Sequence, residues 1–154
     1  YKKLIFSRNK AVKNINFLYN IKLGVNEFPK IGYRFDIEVL PVEKLGTIKR
    51  DKTVGLFDYD KIQGNLYLRN RKVGDRFVPF GMRGSKKIKD YFIDEKIPRQ
   101  LREKIPLIVD NKNILWVVGY RTSNLYKITK DTKKILKIQF MRHRIEEDKN
   151  GKGH

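Results

Sequence analysis

LIVDNKNILWVV, residues 107–118, consists of two almost wholly apolar runs, Leu107–Val109 and Ile114–Val118, joined by Asp110-Asn111-Lys112-Asn113. Runs this short and this apolar suit strands covered on both faces, and Asn and Asp tolerate the left-handed geometry of a tight connection. A hairpin buried on both faces is therefore expected. On either side of it the apolar period is two. Tyr33, Phe35, Ile37 and Val39 alternate with Arg34, Asp36 and Glu38 until Pro41, and Leu136, Ile138 and Phe140 alternate with Lys137 and Gln139. Leu4–Phe6, Ile15–Leu23 and Thr53–Phe57 read as further strands, the last followed by an Asp58-Tyr59-Asp60 turn. In the segment 66–71, Leu66 and Leu68 point one way while Tyr67, Arg69 and Arg71 point the other, so guanidinium groups are expected on the face away from the core.

Two helices interrupt this pattern. Ser85 is placed to cap Lys86–Glu95, where Ile88, Tyr91 and Phe92 fall on one face. Pro98 suits the first turn of a second helix ending before Pro106, with Leu101 and Ile105 pointing inward. The expected class is α+β and β-dominated: a β-sandwich-like domain with a short two-helix insert. Residues 1–141 are expected to form one domain, and the polar stretch 142–154 a disordered tail.

The 154 residues carry 36 Lys and Arg against 17 Asp and Glu, a formal charge of +19. An apolar content of 40% and an aromatic content of 12% argue for a folded body. So large an excess of one sign repels itself, and a polyanion is its natural partner; the plain alternative is a lysine-rich solvated face. With no cysteine, disulfides, thiolate catalysis and zinc-thiolate sites are excluded. The only imidazoles are His143 and His154. No apolar run approaches the roughly 18 residues that a spanning helix requires, and a cytoplasmic location is expected. The chain opens on Tyr1 and reads as a piece of a longer polypeptide.

The charge concentrates between Arg69 and Arg102, which includes eleven Lys or Arg threaded by Gly74, Gly81 and Gly84. Gly81-Met82-Arg83-Gly84-Ser85-Lys86-Lys87 resembles a phosphate-binding turn that leads into a helix, although the spacing is not that of a Walker loop. A tight turn with an exposed charged helix start is the competing reading. The candidate RNA contacts are Arg69, Arg71, Lys72, Arg76, Arg83, Lys86, Lys87, Lys89, Lys96, Arg99, Arg102 and Arg121. Some must serve the fold: Arg69 or Arg76 is placed to pair with Asp75, and Lys86, Asp90 and Asp94 are spaced as an i, i+4 ladder. Phe77, Tyr91, Phe92 and Trp116 occupy core-like positions, so backbone and helical shape, not splayed bases, are the expected targets. No catalytic grouping is legible; Asp58 and Asp60 suit a turn better than a metal.

The run R-x-R-K-x-G-D-R-F-x-P-x-G-M-x-G-x-K-K-I-K-D-Y-F-x-D-x-K-I-P, from Arg69 to Pro98, resembles the C-terminal domain of tRNA(Ile)-lysidine synthetases. The likeness continues through Arg102, Pro106, Trp116–Arg121, Thr132 and the closing strand, covering residues 66–140, with 1–65 a looser strand-rich lead-in. The resemblance implies a fold shared with a domain of the phenylalanyl-tRNA synthetase β-subunit. It also implies an accessory role: holding the body or acceptor stem of an isoleucine tRNA with a CAU anticodon while a separate N-terminal domain uses ATP and Mg²⁺ to attach lysine to the wobble cytidine. That domain's Ser-Gly-Gly-x-Asp-Ser loop does not occur here, so neither a catalytic residue nor a cofactor is expected within this chain. Two other readings stay open: a general basic RNA-binding or ribosome-associated protein, and a module for intramolecular docking or homodimerisation.

Overall fold

The computed structural model describes residues 16–143. The first strand, β1 (Leu18–Ile21), and the next, β2 (Gly24–Phe28), are separate elements. Of the strand expected over Ile15–Leu23, the described residues form β1 only from Leu18 to Ile21, and the chain turns at Lys22 before β2. The Asn26 side chain accepts from the Lys22 N–H at 3.0 Å and donates back to the Lys22 carbonyl at 2.7 Å, closing the turn. The strand expected at Leu4–Phe6 lies outside the described residues, as does the tail expected over 142–154 except for Arg142, which ends the last strand, and His143.

β3 (Tyr33–Pro41), β4 (Val54–Asp58) and β11 (Lys134–Arg142) follow the period-2 pattern closely. They join β2 in a four-stranded antiparallel sheet ordered β2-β3-β11-β4. The second sheet is ordered β1-β5-β8-β9-β10 and is built from β5 (Leu66–Arg69), β8 (Leu107–Val109), β9 (Ile114–Val117) and β10 (Arg121–Thr122) with β1. Their inner faces meet in one core: Phe35, Ile37, Leu136 and Ile138 from the first sheet pack with Leu68, Ile108 and Trp116 from the second. Burying each such large side chain contributes about 1.5–3 kcal/mol.

The 107–118 hairpin is buried on both faces, and the fold shows why. Leu107, Val109, Ile114 and Val117 point away from the sandwich into a second core with Phe77, Ile88, Tyr91, Phe92, Ile97 and Ile105. A register shift between β8 and β9, where Val109 faces Ile114 and Ile108 faces Trp116, leaves Leu115 as a bulge. That extra residue lets consecutive Leu115 and Trp116 both join the sandwich core. Asp110 fixes the connection by accepting from the N–H groups of Lys112 and Asn113, each at 2.8 Å.

The insert over the outer face consists of a two-stranded ribbon, β6 (Arg76–Phe77) with β7 (Lys86–Lys87), then α1 (Ile88–Asp94) and α2 (Arg99–Arg102). Ile88, Tyr91 and Phe92 are the buried face of α1, as the spacing predicts. Its start is not as predicted. Ser85 does not cap the helix; Lys86 and Lys87 are strand residues, and the Ile88 N–H donates to the Asp75 carbonyl at 2.9 Å. α1 ends on Lys96 at φ +59°, with the Lys96 N–H on the Ile93 carbonyl and the Ile97 N–H on the Phe92 carbonyl. That is a Schellman ending with a lysine where glycine is usual. In the short α2 the expectation for Leu101 fails, because it is 44% exposed, while Ile105 is buried.

Candidate nucleic-acid interface

The fold places the twelve candidate cations differently. Arg69, Arg71 and Arg102 are already engaged. Arg69 sits beside β5's outer face but does not face solvent: its guanidinium grips Asp75 with both amines, at 2.9 and 3.1 Å, and both side chains are about seven-eighths covered. Of the two predicted partners for Asp75 the structure selects Arg69. Arg71 reaches Glu103, with Nε at 3.0 Å, and lies 5.6 Å from the centroid of the Phe92 ring. Arg102 donates from Nε to the Ile97 carbonyl at 2.9 Å, tying α2 to the end of α1. The expectation of guanidinium groups presented by the 66–71 strand is therefore corrected: the insert covers that face, and its arginines pin the cover in place.

Lys86 pairs with Asp94 across the ribbon and helix. Since Lys86 precedes the helix, the i, i+4 ladder through Asp90 does not form. Arg76 is exposed and donates to the Ser85 hydroxyl at 2.9 Å, bracing the loop 78–85. Arg121 is half-covered in β10. Lys72, Arg83, Lys87, Lys89, Lys96 and Arg99 are exposed, and their side chains have no ion pair or hydrogen bond among the described residues.

Arg71, Lys72, Lys87 and Lys89 come together around one cleft of about 650 Å³, which Val73, Gly74, Asp75, Asn16 and Glu103 complete. Its rim is the Lys72–Asp75 turn, closed by the Asp75 N–H on the Lys72 carbonyl at 3.1 Å and by the Lys72 N–H on the Asp75 carboxylate at 2.7 Å. Gly74 takes φ +90° there, a conformation that side-chain-bearing residues adopt at a cost. One carboxylate thus anchors Arg69, shapes the turn and places Lys72, while α1 supplies Lys89 and the ribbon Lys87. Among the described residues these three ammonium groups around a concave surface have no partner, and cations so placed would release the counterions condensed on a phosphate backbone.

The loop 81–87 is not a helix-start phosphate cradle. The helix begins three residues beyond Ser85, is only seven residues long, and carries two lysines in strand geometry ahead of it. Asp58 is a structural residue: it accepts from the Asp60 N–H at 3.1 Å and from the buried Thr132 hydroxyl at 2.8 Å. Burial pushes the Tyr91 hydroxyl up to about 12, with Glu95 adding to the shift and Arg121 opposing it. Burial also raises Tyr126, helped by its 2.7 Å hydrogen bond to Asp110.

This architecture, a two-sheet sandwich with a basic helical insert over its outer face, has known relatives. Residues 66–140 match the family described as the TilS substrate C-terminal domain. The chain carries a TilS substrate C-terminal domain. A tRNA(Ile)-lysidine synthase of Caldanaerobacter subterraneus subsp. tengcongensis is 41% identical over 91% of this chain, and one of Clostridium tetani is 57% identical over 58% of it. The chain spans about 30% and 19% of those two proteins. A solved structure titled as the TILS C-terminal domain superposes with a TM-score of 0.69 at 26% identity, covering 83% of this chain and 98% of that one. An N-terminal fragment of the phenylalanyl-tRNA synthetase β-subunit from Pyrococcus horikoshii gives a TM-score of 0.52 at 18% identity, over 80% of this chain and 46% of that one, a likeness of fold alone.

Within this TilS-type domain, sequence reasoning missed Phe80 and Tyr120. They are 53% and 37% exposed, in contrast to the buried Phe77, Tyr91, Phe92 and Trp116. No local signal marks them, since Phe80's turn is held out by residues 122–124, some forty positions away.

Proposed function

We propose that this chain is the tRNA-holding domain of a tRNA(Ile)-lysidine synthase. In this reading it grips the tRNA body or acceptor stem, and a separate domain of the same protein attaches lysine to the wobble cytidine of an isoleucine tRNA with a CAU anticodon, in the cytoplasm. The carrying observation is the cleft lined by Lys72, Lys87 and Lys89, whose charges have no partner among the described residues, while Arg69, Arg71 and Arg102 are engaged by carboxylates and a carbonyl. Ammonium groups on flexible stems read a phosphate backbone by charge, which favours a positioning role over base-by-base readout.

In this reading ATP and Mg²⁺ belong to the separate catalytic domain, and two observations support that placement. Among the described residues there is no group of three or more acidic, histidine or cysteine side chains that could hold a metal ion, and the sequence contains no Ser-Gly-Gly-x-Asp-Ser loop. No chemical step is assigned to this domain. Its contribution is orientation: holding a large substrate in one register converts diffusion of the anticodon into a local search.

Reversing Lys72, Lys87 and Lys89 to Glu tests the reading. The triple variant is expected to lose at least tenfold in tRNA affinity at moderate salt. The same charge change at Lys30, Lys44 and Lys134, exposed on the other sheet and its turns, is expected to cost much less. Equal losses in the two variants would show that only net charge matters and would remove the cleft from the account.

A further inference from the structure

The loop 78–85 presents its aromatic ring on a fixed mount. Val78 and Phe80 bond to the 122–124 segment: the Phe80 N–H donates to the Thr122 carbonyl at 2.9 Å and the Asn124 N–H to the Val78 carbonyl at 2.7 Å. The Asn124 side chain accepts from the Gly81 N–H at 3.1 Å, and the Met82 N–H closes the turn on the Pro79 carbonyl at 2.9 Å. Gly81 takes φ +88°, as the third residue of such a turn requires. Phe80 is therefore held out at 53% exposure by four hydrogen bonds. With Tyr120, also exposed, lining the same cavity, the ring offers a partner a paired aromatic surface and not an isolated exposure.

Its surroundings define that partner. Phe80 and Tyr120 line a second cavity, of about 380 Å³, at the seam where β4 and its preceding loop meet β9 and β10. Trp116 forms part of its wall, while Arg121, Lys52 and Asp51 supply the polar groups. A phosphate alone would call for donors only, and an apolar peptide would gain nothing from two cations. Asp51 adds an acceptor: one carboxylate oxygen takes the Thr53 N–H at 2.8 Å and the Thr53 hydroxyl, which holds the group ionised and leaves its other oxygen for a ligand. An aromatic face, an acceptor and two cations match a nucleobase face, its amino edge and the adjoining phosphates.

We infer that the Phe80–Tyr120 cavity is a subsite for an unpaired nucleotide of the bound RNA, with the base against Phe80 and the flanking backbone at Arg121 and Lys52. The inference rests on the RNA-binding reading above and adds to it. The lysine cleft holds helical backbone without regard to sequence, and this subsite holds a base that has left the helix. Stacking on a protein ring is tolerant of base identity, so the subsite selects single-stranded character first.

The test uses the 154-residue chain with two RNA probes that share one hairpin stem, one blunt-ended and one carrying a four-nucleotide 3′ overhang that contains 2-aminopurine. The overhang is expected to tighten binding about tenfold, within the range for stacking one base on an aromatic side chain, and to quench the 2-aminopurine fluorescence. Phe80→Ala is expected to abolish both effects while leaving affinity for the blunt probe within about twofold. Phe80→Trp is expected to restore them, which separates stacking from damage to the fold. If both probes bind equally to the wild-type chain, the subsite is wrong and the backbone reading stands. Failure to bind either probe overturns both readings. If Phe80→Ala leaves the overhang's advantage intact, the ring belongs to a protein contact and the inference falls.

Discussion

Removing the carboxylate of Asp75 should cost far more than its place in a surface turn suggests. Asp75 accepts two hydrogen bonds from Arg69, at 2.9 and 3.1 Å, and one from the Lys72 N–H at 2.7 Å. Its side chain is 13% exposed and that of Arg69 14%. In Asp75→Ala the guanidinium remains in a largely dry site with one remaining acceptor, the Asn70 carbonyl at 3.1 Å. Breaking a buried pair from one side costs about 3–5 kcal/mol, and partial solvation here places the expected loss near 3 kcal/mol. For a domain of this size that corresponds to a fall in Tm of about 10 °C. Arg69→Met removes the charge and keeps the apolar stem, so the double variant should be more stable than Asp75→Ala alone. Urea unfolding of the four proteins, followed by Trp116 fluorescence, measures the coupling. Additive losses, or a single-variant loss below about 1 kcal/mol, would show that the pair is merely a surface contact and that Arg69 is free for RNA.

Three further outcomes are expected. Lys96→Gly should stabilise the fold by about 1 kcal/mol in the same assay, because glycine adopts φ +59° without the penalty a side chain incurs; a loss of stability would contradict the Schellman reading. Gly55→Ala should destabilise by about 1–3 kcal/mol, since the new methyl would lie 2.9 Å from both the Phe57 and Trp116 rings, which are fully buried. Alkaline titration should show Tyr91 and Tyr126 ionising late. Their pKa values are raised in the folded state, so stability is fully present below pH 10 and declines as pH rises from about 10 to about 12, through the folded value of Tyr91. Tyrosinate absorbance and the urea midpoint, measured over that window, should change together.

The fold was legible where neighbours in sequence carry the information. β3, β11 and the 107–118 hairpin announce themselves by period or by uninterrupted apolarity, and their registers close the sandwich. The break between β1 and β2 was hidden because it depends on one Asn26 side chain capturing the Lys22 backbone, not on a change of period. The start of α1 was misplaced for a similar reason: Lys86 and Lys87 pair with Arg76 and Phe77 before the helix can begin. In the basic region, composition revealed the charge but not its commitments. Glu103 lies 32 positions from Arg71, and only folding makes it the partner that withdraws that arginine from solvent. Phe80 shows the converse, an aromatic residue exposed by distant hydrogen bonds in a chain whose other large rings are mostly buried.

Holding of tRNA through the insert, as proposed, can be measured directly. The most direct measurement is a filter-binding titration of the chain against isoleucine tRNA with a CAU anticodon, elongator methionine tRNA and duplex DNA at several salt concentrations. Tighter binding to tRNA than to DNA is expected, with a logarithmic salt slope corresponding to about six to ten phosphate contacts. Equal, shallow binding to all three, or no binding at moderate salt, would contradict the account.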